Sequence, residues 1–436
     1  MMRLHEFARR PFAAGYAVVA LILAVAMALC FKAAPYGFTV PDTGSYTAAF
    51  QSICHGHVHL WRMPVYPMII GTCFRIFGPD FGGSVTALLQ WGMFGVTLFC
   101  LRRLLLMLTG SARLTFWIFA FYALAPGNFE CNQVLFSEAT ATCLTMLAAY
   151  RAVCSLRRPS VSNVLWTLLW LGLLLSLKPA AASFLAAAAV WLVLLLWLHR
   201  GRVRRQAIVI SAALCVFIAG LALYSVAMYR HNGVRTLSIA GTANNYFTLR
   251  EAGLVTPENC SDPALRQVIA DSIGTEIPRE HSHIWDEYWC LYRASNPAVL
   301  EKFTNEVMMA NKGIVLRHII NRFNFECARY MIISTKAAFV PWSFSFLPKP
   351  SVNMAVWILG ACLAVFGFHL RRYPLWASEG LCICLPAFVY IATAAIFAMD
   401  DYTRLVHPVQ PLFWIGIAML AKAMRVAPLC ETPAQQ

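Results

Sequence analysis

The residues best suited to chemistry stand at the edges of long apolar runs. Asp42 follows the first run, in the stretch Pro41-Asp42-Thr43-Gly44-Ser45-Tyr46, and Arg62-Met63-Pro64-Val65-Tyr66-Pro67 comes shortly after it. Glu138 lies inside a later run, Lys178 follows another, and Tyr402, Arg404 and His407 open the last. A carboxylate within hydrogen-bond reach can take a proton from an attacking hydroxyl, and ammonium and guanidinium groups can hold an anion. Each residue also has a plainer reading. Asp42, or Thr43, can cap a short helix over 43–54. Arg62 can pair with Asp42, and Asp400 and Asp401 can be solvated or pair with Arg404. Lys178 can be a lysine snorkelling to a membrane interface, and His407 a neutral hydrogen-bond donor or a mere interface residue. Glu138, expected a turn or two from the end of a span, costs roughly 2.5–3.5 kcal/mol there, so it must face a basic partner or a wet cavity.

The elements that position these residues follow from composition. The chain has 436 residues, 59% hydrophobic and only 13% charged, with mean hydropathy +0.62. A soluble chain is nearer one quarter charged, so a soluble enzyme, a disordered chain and a disulfide miniprotein are excluded. The reading is an all-α polytopic integral membrane protein. Apolar runs fall near 13–31, 83–101, 114–126, 133–150, 161–177, 180–198, 207–228, 352–369, 379–398 and 405–421, about ten transmembrane helices. The first has a basic start at Arg3, Arg9 and Arg10 but no small-residue cleavage site, and reads as an uncleaved anchor. With the N-terminus in the cytoplasm, every short inner loop is basic, and 17 of the 35 basic residues fall on the inner side. The same segments hold only Glu6, Glu379 and Glu431. The net charge of +15 is therefore mostly topological, and no nucleic acid partner is implied.

Four regions result. Residues 1–228 form a membrane module of seven spans with a first outer loop over 32–82. Residues 229–351 form a large outer loop punctuated by Pro257, Pro263, Pro278 and Pro297, with helical periodicity near 263–273, 299–311 and 313–331. Residues 352–426 make a three-span module, and 427–436 a disordered tail. A second short helix near the interface is expected over 66–77. His55, His57 and His59 have a spacing that would suit a metal only on a strand; on a helix or irregular loop they read as solvated. Trp285, Tyr288 and Trp289, beside Asp286 and Glu287, suit a loop-domain core or a sugar face, with the core preferred. Most of the 15 cysteines are apolar fillers. Cys260, Cys290 and Cys327 share the large loop, and one pair of them could bridge in an oxidising compartment.

The pattern Asp42-Thr43-x-x-Tyr46, then Gly56, then Arg62-x-Pro64-x-Tyr66-Pro67 resembles the first outer loop of the GT-C glycosyltransferases. More narrowly, it is similar to the bacterial relatives of protein mannosyltransferases and the lipid A aminoarabinose transferase, whose loop reads D-S-x-x-Y, G, R-P-P-G-Y-P. This chain departs from that pattern with Thr43 for Ser, Met63 for the first Pro of the pair and Val65 for Gly. Thr43 also stands where many relatives carry a second acid. Ser137-Glu138, Lys178-Pro179 and Tyr402-x-Arg404-x-x-x-Pro408-x-x-Pro411 resemble further family positions in the same order; the loop 229–351 matches nothing.

The resemblance implies a GT-C-like fold and transfer of a sugar from a polyprenyl-phosphate donor, with inversion, on the outer face of the membrane. Asp42 would be the general base, with Arg62, Lys178 and Arg404 on the donor phosphate. Tyr46, Tyr66, Glu138, Tyr402 and His407 would line the substrates. No metal or other cofactor is expected, because Asp42 lacks an adjacent acid; a divalent cation is the less favoured alternative. The partners would be the polyprenyl-phosphate sugar, the lipid bilayer and an envelope glycan, lipid or protein acceptor. The setting would be a bacterial inner membrane with both termini cytoplasmic and the site periplasmic. An O-antigen-type polymerase or ligase is the nearest alternative, and a transporter or flippase of lipid-linked sugars the alternative from another class. A transporter would carry repeats and mid-membrane acids, which the sequence lacks; a non-catalytic scaffold would leave the ionisable groups scattered.

Overall fold

The computed structural model describes residues 12–200, 204–274, 276–278, 280–333, 336–344, 349–397 and 402–426. Arg3, Arg9, Arg10, Arg202, Asp400, Asp401 and the tail 427–436 lie outside the described residues. The first half runs α1 (Ala13–Ala33), α2 (Pro41–Cys54), α3 (Val65–Phe77), α4 (Pro79–Thr109), α5 (Ala112–Ala123), α6 (Pro126–Gln133), α7 (Glu138–Arg157), α8 (Val161–Leu175), α9 (Phe184–Leu198) and α10 (Arg204–Asn232). The rest is α11 (Ala240–Glu251), α12 (Pro263–Ser272), α13 (His281–Ala294), α14 (Pro297–Ala310), α15 (Lys312–Asn321), α16 (Val352–His369), α17 (Pro374–Phe397), α18 (Tyr402–Val406) and α19 (Gln410–Val426). Among the described residues no strand is present beyond isolated bridges such as Phe38 with Val134.

The chain is an all-helical integral membrane protein. Seven described stretches are long and apolar enough to cross a bilayer: α1, α4, α7, Pro179–Leu198, α16, α17 and Tyr402–Met424. The expected third and fifth spans differ from the sequence reading. They are helices of 12 and 15 residues, too short at 1.5 Å per residue to cover about 30 Å alone. The run over 114–126, already short in the sequence, breaks at Leu124 and Ala125, and the polar α6 that follows does not extend the helix. The expected fourth span starts at Glu138 and not at 133, and α4 is 31 residues long. The expected seventh span is covered by α10.

Burial separates two kinds of span. In α1 only 17% of the membrane-length window is buried, against 78% in α7. The first is apolar along its whole length and mostly exposed on the outside of the bundle. The second is rich in Ala, Thr and Cys, small residues that let helices approach closely, and it forms the centre of the bundle with α4, α8 and α17. At its far end Arg157 pairs with Glu379 and gives a hydrogen bond to the Met107 carbonyl at 2.7 Å. Lys422 reaches the neighbouring Leu108 carbonyl. A 20-residue helix separates this cluster from Glu138, about 28 Å along the axis.

Helices α2 and α3 form the hairpin that carries the first motif. They touch so closely that a Cβ on Gly71 would stand 2.0 Å from the Phe50 ring, so only glycine fits there. Helices α11–α15 build a second, separate core around Tyr246, Phe247, Ile284, Tyr288, Leu300 and Phe303. The expected helices near 263–273, 299–311 and 313–331 are α12, α14 and α15, the last ending at Asn321 in a π turn over Arg322–Glu326. Tyr288 is fully buried in that core, and Trp61 from the first motif packs into its aromatic cluster, 5.2 Å from Trp289.

Candidate active site

Two carboxylates occupy the first turns of two helices. Pro41 opens α2, because its fixed φ suits the first helical position, and Val40 is the N-cap. The capping roles expected of Asp42 and Thr43 are thus not the ones found. Thr43 accepts from the Val40 amide and donates to the Leu135 carbonyl, each at 3.0 Å, tying α2 to the entry of α7. Asp42 is left to point away from its own backbone. Glu138 begins α7 and is 1% exposed, so it sits at the helix start and not a turn or two inside. Both acids stand where the helix dipole favours negative charge.

Three breaks in the chain bring the cations to them. Pro179 forces Lys178 into extended backbone, φ −145° and ψ 122°, which ends the α8 run and turns the side chain inward. Pro408 separates α18 from α19 and places Arg404 on a short helix beside α7. Arg62 lies in an irregular stretch before α3, where the His59 ring accepts from the Trp61 and Arg62 amides at 3.2 Å. The α10–α11 connection clamps the same stretch: Ile239 donates to the Leu60 carbonyl at 3.0 Å and the Ser238 hydroxyl to the Trp61 carbonyl at 2.8 Å.

These pieces join in one continuous chain of ion pairs. Arg62 Nη2 donates to Asp42 Oδ1 at 2.5 Å, and Arg404 Nη2 to Asp42 Oδ2 at 2.8 Å. Arg404 Nε stands 3.2 Å from Glu138 Oε1, which also accepts from Lys178 Nζ at 2.8 Å. Burial would push the Asp42 carboxyl up, but Arg62 and then Arg404 more than offset it and hold the group below its usual range. Arg62 also donates to Ser45 Oγ at 2.8 Å and lies over the Tyr46 ring at 4.5 Å. Arg404 faces the Phe136 ring at 5.5 Å.

All four residues expected to form the site, and Glu138 with them, meet here. The plainer readings of Arg62 as a partner of Asp42 and of Glu138 as a paired acid describe the same contacts. Tyr46 joins through its hydroxyl to Ser137 at 3.2 Å. Tyr66 is fully buried and donates to Gln90 Oε1 at 2.7 Å, and Tyr402 is fully buried against Tyr330 with ring centres 4.5 Å apart. His407 is held between Thr142 Oγ1 at 2.9 Å and Asn128 Oδ1 at 3.0 Å. It borders a cavity of about 300 Å³ together with Arg404, Asn128, Glu130 and Gln410. His55 ends α2, His57 meets His231 at 3.1 Å, and His59 serves the local backbone. Among the described residues no group of three His, Cys, Asp or Glu side chains stands close enough to hold a metal ion.

Sequence reasoning passed over Ser45, Asn128, Gln90 and Ser238. Gln90 left a signal: a lone amide in an apolar run must find partners, and it donates to the Asn132 and Val134 carbonyls at 2.9 and 2.8 Å. Ser238 left none, since its partner Trp61 is 177 positions away, and the His407 contact of Asn128 spans 279 positions.

Fold and site together define a polytopic helical membrane protein with a buried chain of acids and bases at one end of its bundle. No protein-family model and no curated protein sequence matches the chain. Among solved structures, it is similar to an oligosaccharyltransferase from Archaeoglobus fulgidus in the apo form, with 11% identity, 94% of this chain and 52% of that one covered, and TM-score 0.44. The chain thus spans about half the length of that protein. It is also similar to ArnT from Cupriavidus metallidurans in the apo state, with 16% identity, 95% and 80% covered, and TM-score 0.37. For ArnT bound to undecaprenyl phosphate the values are 16%, 97% and 82%, with TM-score 0.36.

Proposed function

We propose that the protein is an inverting glycosyltransferase that moves a sugar from a polyprenyl-phosphate donor to an envelope glycan, lipid or protein on the extracytoplasmic face. The observation that carries this reading is the Arg62–Asp42–Arg404–Glu138–Lys178 chain, one candidate base surrounded by three cations at a single end of the bundle. The basic residues of the short loops, read by the positive-inside tendency, support an outer location for that end.

Asp42 is the general base. As the acceptor oxygen attacks the anomeric carbon, its proton passes to a carboxylate oxygen of Asp42. The bond from the anomeric carbon to the phosphate oxygen breaks, and the lipid phosphate leaves with the electron pair. Phosphate is already a good leaving group, so it needs no general acid. It needs positive charge, which Arg62, Arg404 and Lys178 supply. The developing positive charge on the sugar is favoured by the nearby carboxylates. Without donor, both oxygens of Asp42 are engaged by guanidinium groups. Donor phosphate competes for those guanidiniums and so releases the base as it binds. A narrow, mostly apolar space of about 40 Å³ lies between α7, α8, α9 and α17, and its lining residues Leu174 and Phe184 flank Lys178 in the chain; the lipid chain would have to widen it.

Mass spectrometry of envelope glycans and glycoproteins from cells with the wild-type chain, with Asp42→Asn and without the gene tests the reading. A modification that disappears in both altered strains, with the variant still present in the membrane, supports it. Its persistence in the variant overturns the base assignment. Labelling of the exposed Cys54 by a membrane-impermeant maleimide in intact spheroplasts tests the orientation; protection there places this end in the cytoplasm.

A further inference from the structure

We infer that the cavity beside Arg404 is the acceptor pocket, and that it takes a neutral, hydroxyl-rich ring such as a sugar headgroup. This inference rests on the glycosyltransferase reading and gives its second substrate a place and a chemical class.

The position of the cavity is the first argument. Arg404 is at once part of its wall and a ligand of Asp42, and Val40, the N-cap of the helix that carries Asp42, is on the same wall. A group in the cavity is therefore one guanidinium away from the carboxylate. Lys178 and Arg62 are not among the lining residues, and the apolar crevice near Lys178 is lined by a different set. The two spaces share no lining residue, as displacement with inversion asks of separate donor and acceptor sites, because nucleophile and leaving group lie on opposite faces of the anomeric carbon.

The lining is the second argument. Among the described residues its charged groups are Glu130 and Arg404, one of each sign, so the lining carries no net charge that would draw an anion in. The other polar groups include the Gln410 amide, the Thr403 hydroxyl, the His407 imidazole and Asn128, whose amide is taken up by Tyr122 and His407, and the ring faces are Phe38 and Phe136. Amides match hydroxyl groups and aromatic faces match the C–H face of a sugar. Gln410 is 1% exposed and gives its amide N–H to the Ile332 carbonyl, while its Oε1 has no partner among the described residues. A buried acceptor of this kind calls for a donor. At about 300 Å³ the space is at the small end of ligand pockets, the size for one headgroup and not for a folded peptide.

Cys131 lines the cavity and is partly exposed, so it reports on occupancy. The protein in lipid nanodiscs is labelled with N-ethylmaleimide, and modification at Cys131 is read by peptide mass spectrometry. Octyl glucoside and octyl phosphate share a chain and differ in headgroup. Octyl glucoside is expected to slow labelling at Cys131 by about threefold or more, with octyl phosphate ineffective. Equal rates with both, or better protection by the phosphate, overturn the assignment. The second arm fills the cavity with Val134→Trp. Transfer is expected to fall by about tenfold or more while the Kd for undecaprenyl phosphate stays within about twofold. Unchanged transfer, or joint loss of phosphate binding, overturns the inference. If the wild-type protein transfers no sugar to any acceptor, the glycosyltransferase reading fails by itself, and Cys131 protection still reports what the cavity binds.

Discussion

Arg404 Nη2 and Asp42 Oδ2 are hydrogen-bonded at 2.8 Å although 362 positions separate them in the chain. The contact joins the start of the last membrane helix to the helix that follows the first. Under the proposed function it also sets a competition, because the carboxylate occupies the cation that a donor phosphate would need, and Asp42, as the proposed base, stays engaged until substrate arrives.

The competition predicts opposite effects of one substitution on two measurements. Asp42→Asn removes the base, so transfer should fall by about 10²–10⁴-fold. It also removes the carboxylate that competes for Arg62 and Arg404, so undecaprenyl phosphate should bind at least as tightly as to wild type. Titration of the lipid phosphate into nanodiscs, beside a transfer assay, checks both. A merely structural aspartate would lose both together.

Arg62 is expected to tune the base. Asp42 lies below the usual carboxylate range because Arg62 and Arg404 outweigh its burial. Transfer needs the ionised carboxylate, so activity is lost as pH falls through its pKa. Arg62→Gln removes the larger of the two opposing influences and raises that pKa. The acid limb of the kcat/KM profile, which reports the free enzyme, should then move to higher pH, and Arg62→Lys should move it less. An acid limb that stays in place in both variants would show that Arg62 only packs against Tyr46.

Asp42, Arg62, Lys178 and Arg404 could be picked out because the motifs that carry them, in their order along the chain, resemble those of the GT-C glycosyltransferases. Their pairing could not, since it depends on which helix ends meet. Glu138 was legible as an acid in need of a partner, yet its service to two cations at once required Pro179 and Pro408 to turn Lys178 and Arg404 toward it. The ends of α5 and α8 were masked because the apolar residues Leu124, Ala125 and Leu177 lie just beyond the last helical residue. The clamp of Ser238 and Ile239 on Leu60 and Trp61 has no local pattern, since it joins segments about 177 positions apart.

Glu138 and Lys178 are a buried pair, with side chains 1% and 14% exposed. Removing one charge leaves the other desolvated and uncompensated, at a cost of about 3–5 kcal/mol, whereas replacing both with apolar residues is often neutral. Glu138→Met alone should therefore lower the thermal midpoint in detergent markedly, and Glu138→Met with Lys178→Met should recover most of it. The double variant should still bind undecaprenyl phosphate more weakly, because one cation is gone. Full recovery of phosphate binding would leave Lys178 as a purely structural partner of Glu138.

A second ionic cluster joins the α11–α15 domain to itself and predicts where that domain loses stability. Glu251, 13% exposed, accepts from His281 Nε2 and His318 Nε2 at 3.1 Å each and pairs with the buried Arg322. Burial would raise its carboxyl, but the two imidazoles and the guanidinium pull it from 4.5 to about 2. A depressed carboxylate stabilises the fold at pH values above its ordinary pKa, and that contribution is lost as pH falls from 4.5 toward 2. Glu251→Gln should thus make the domain easier to cleave by protease at neutral pH, through loss of a buried partner of Arg322. The gap between wild type and variant in thermal midpoint should be widest above pH 4.5 and close as the solution approaches pH 2. A gap of constant size across that window would mean that Glu251 acts through packing and not through its charge. Since Trp61 docks in the same domain beside Arg62, a loosened domain should also lower transfer in Glu251→Gln, with the acid limb of its kcat profile unmoved.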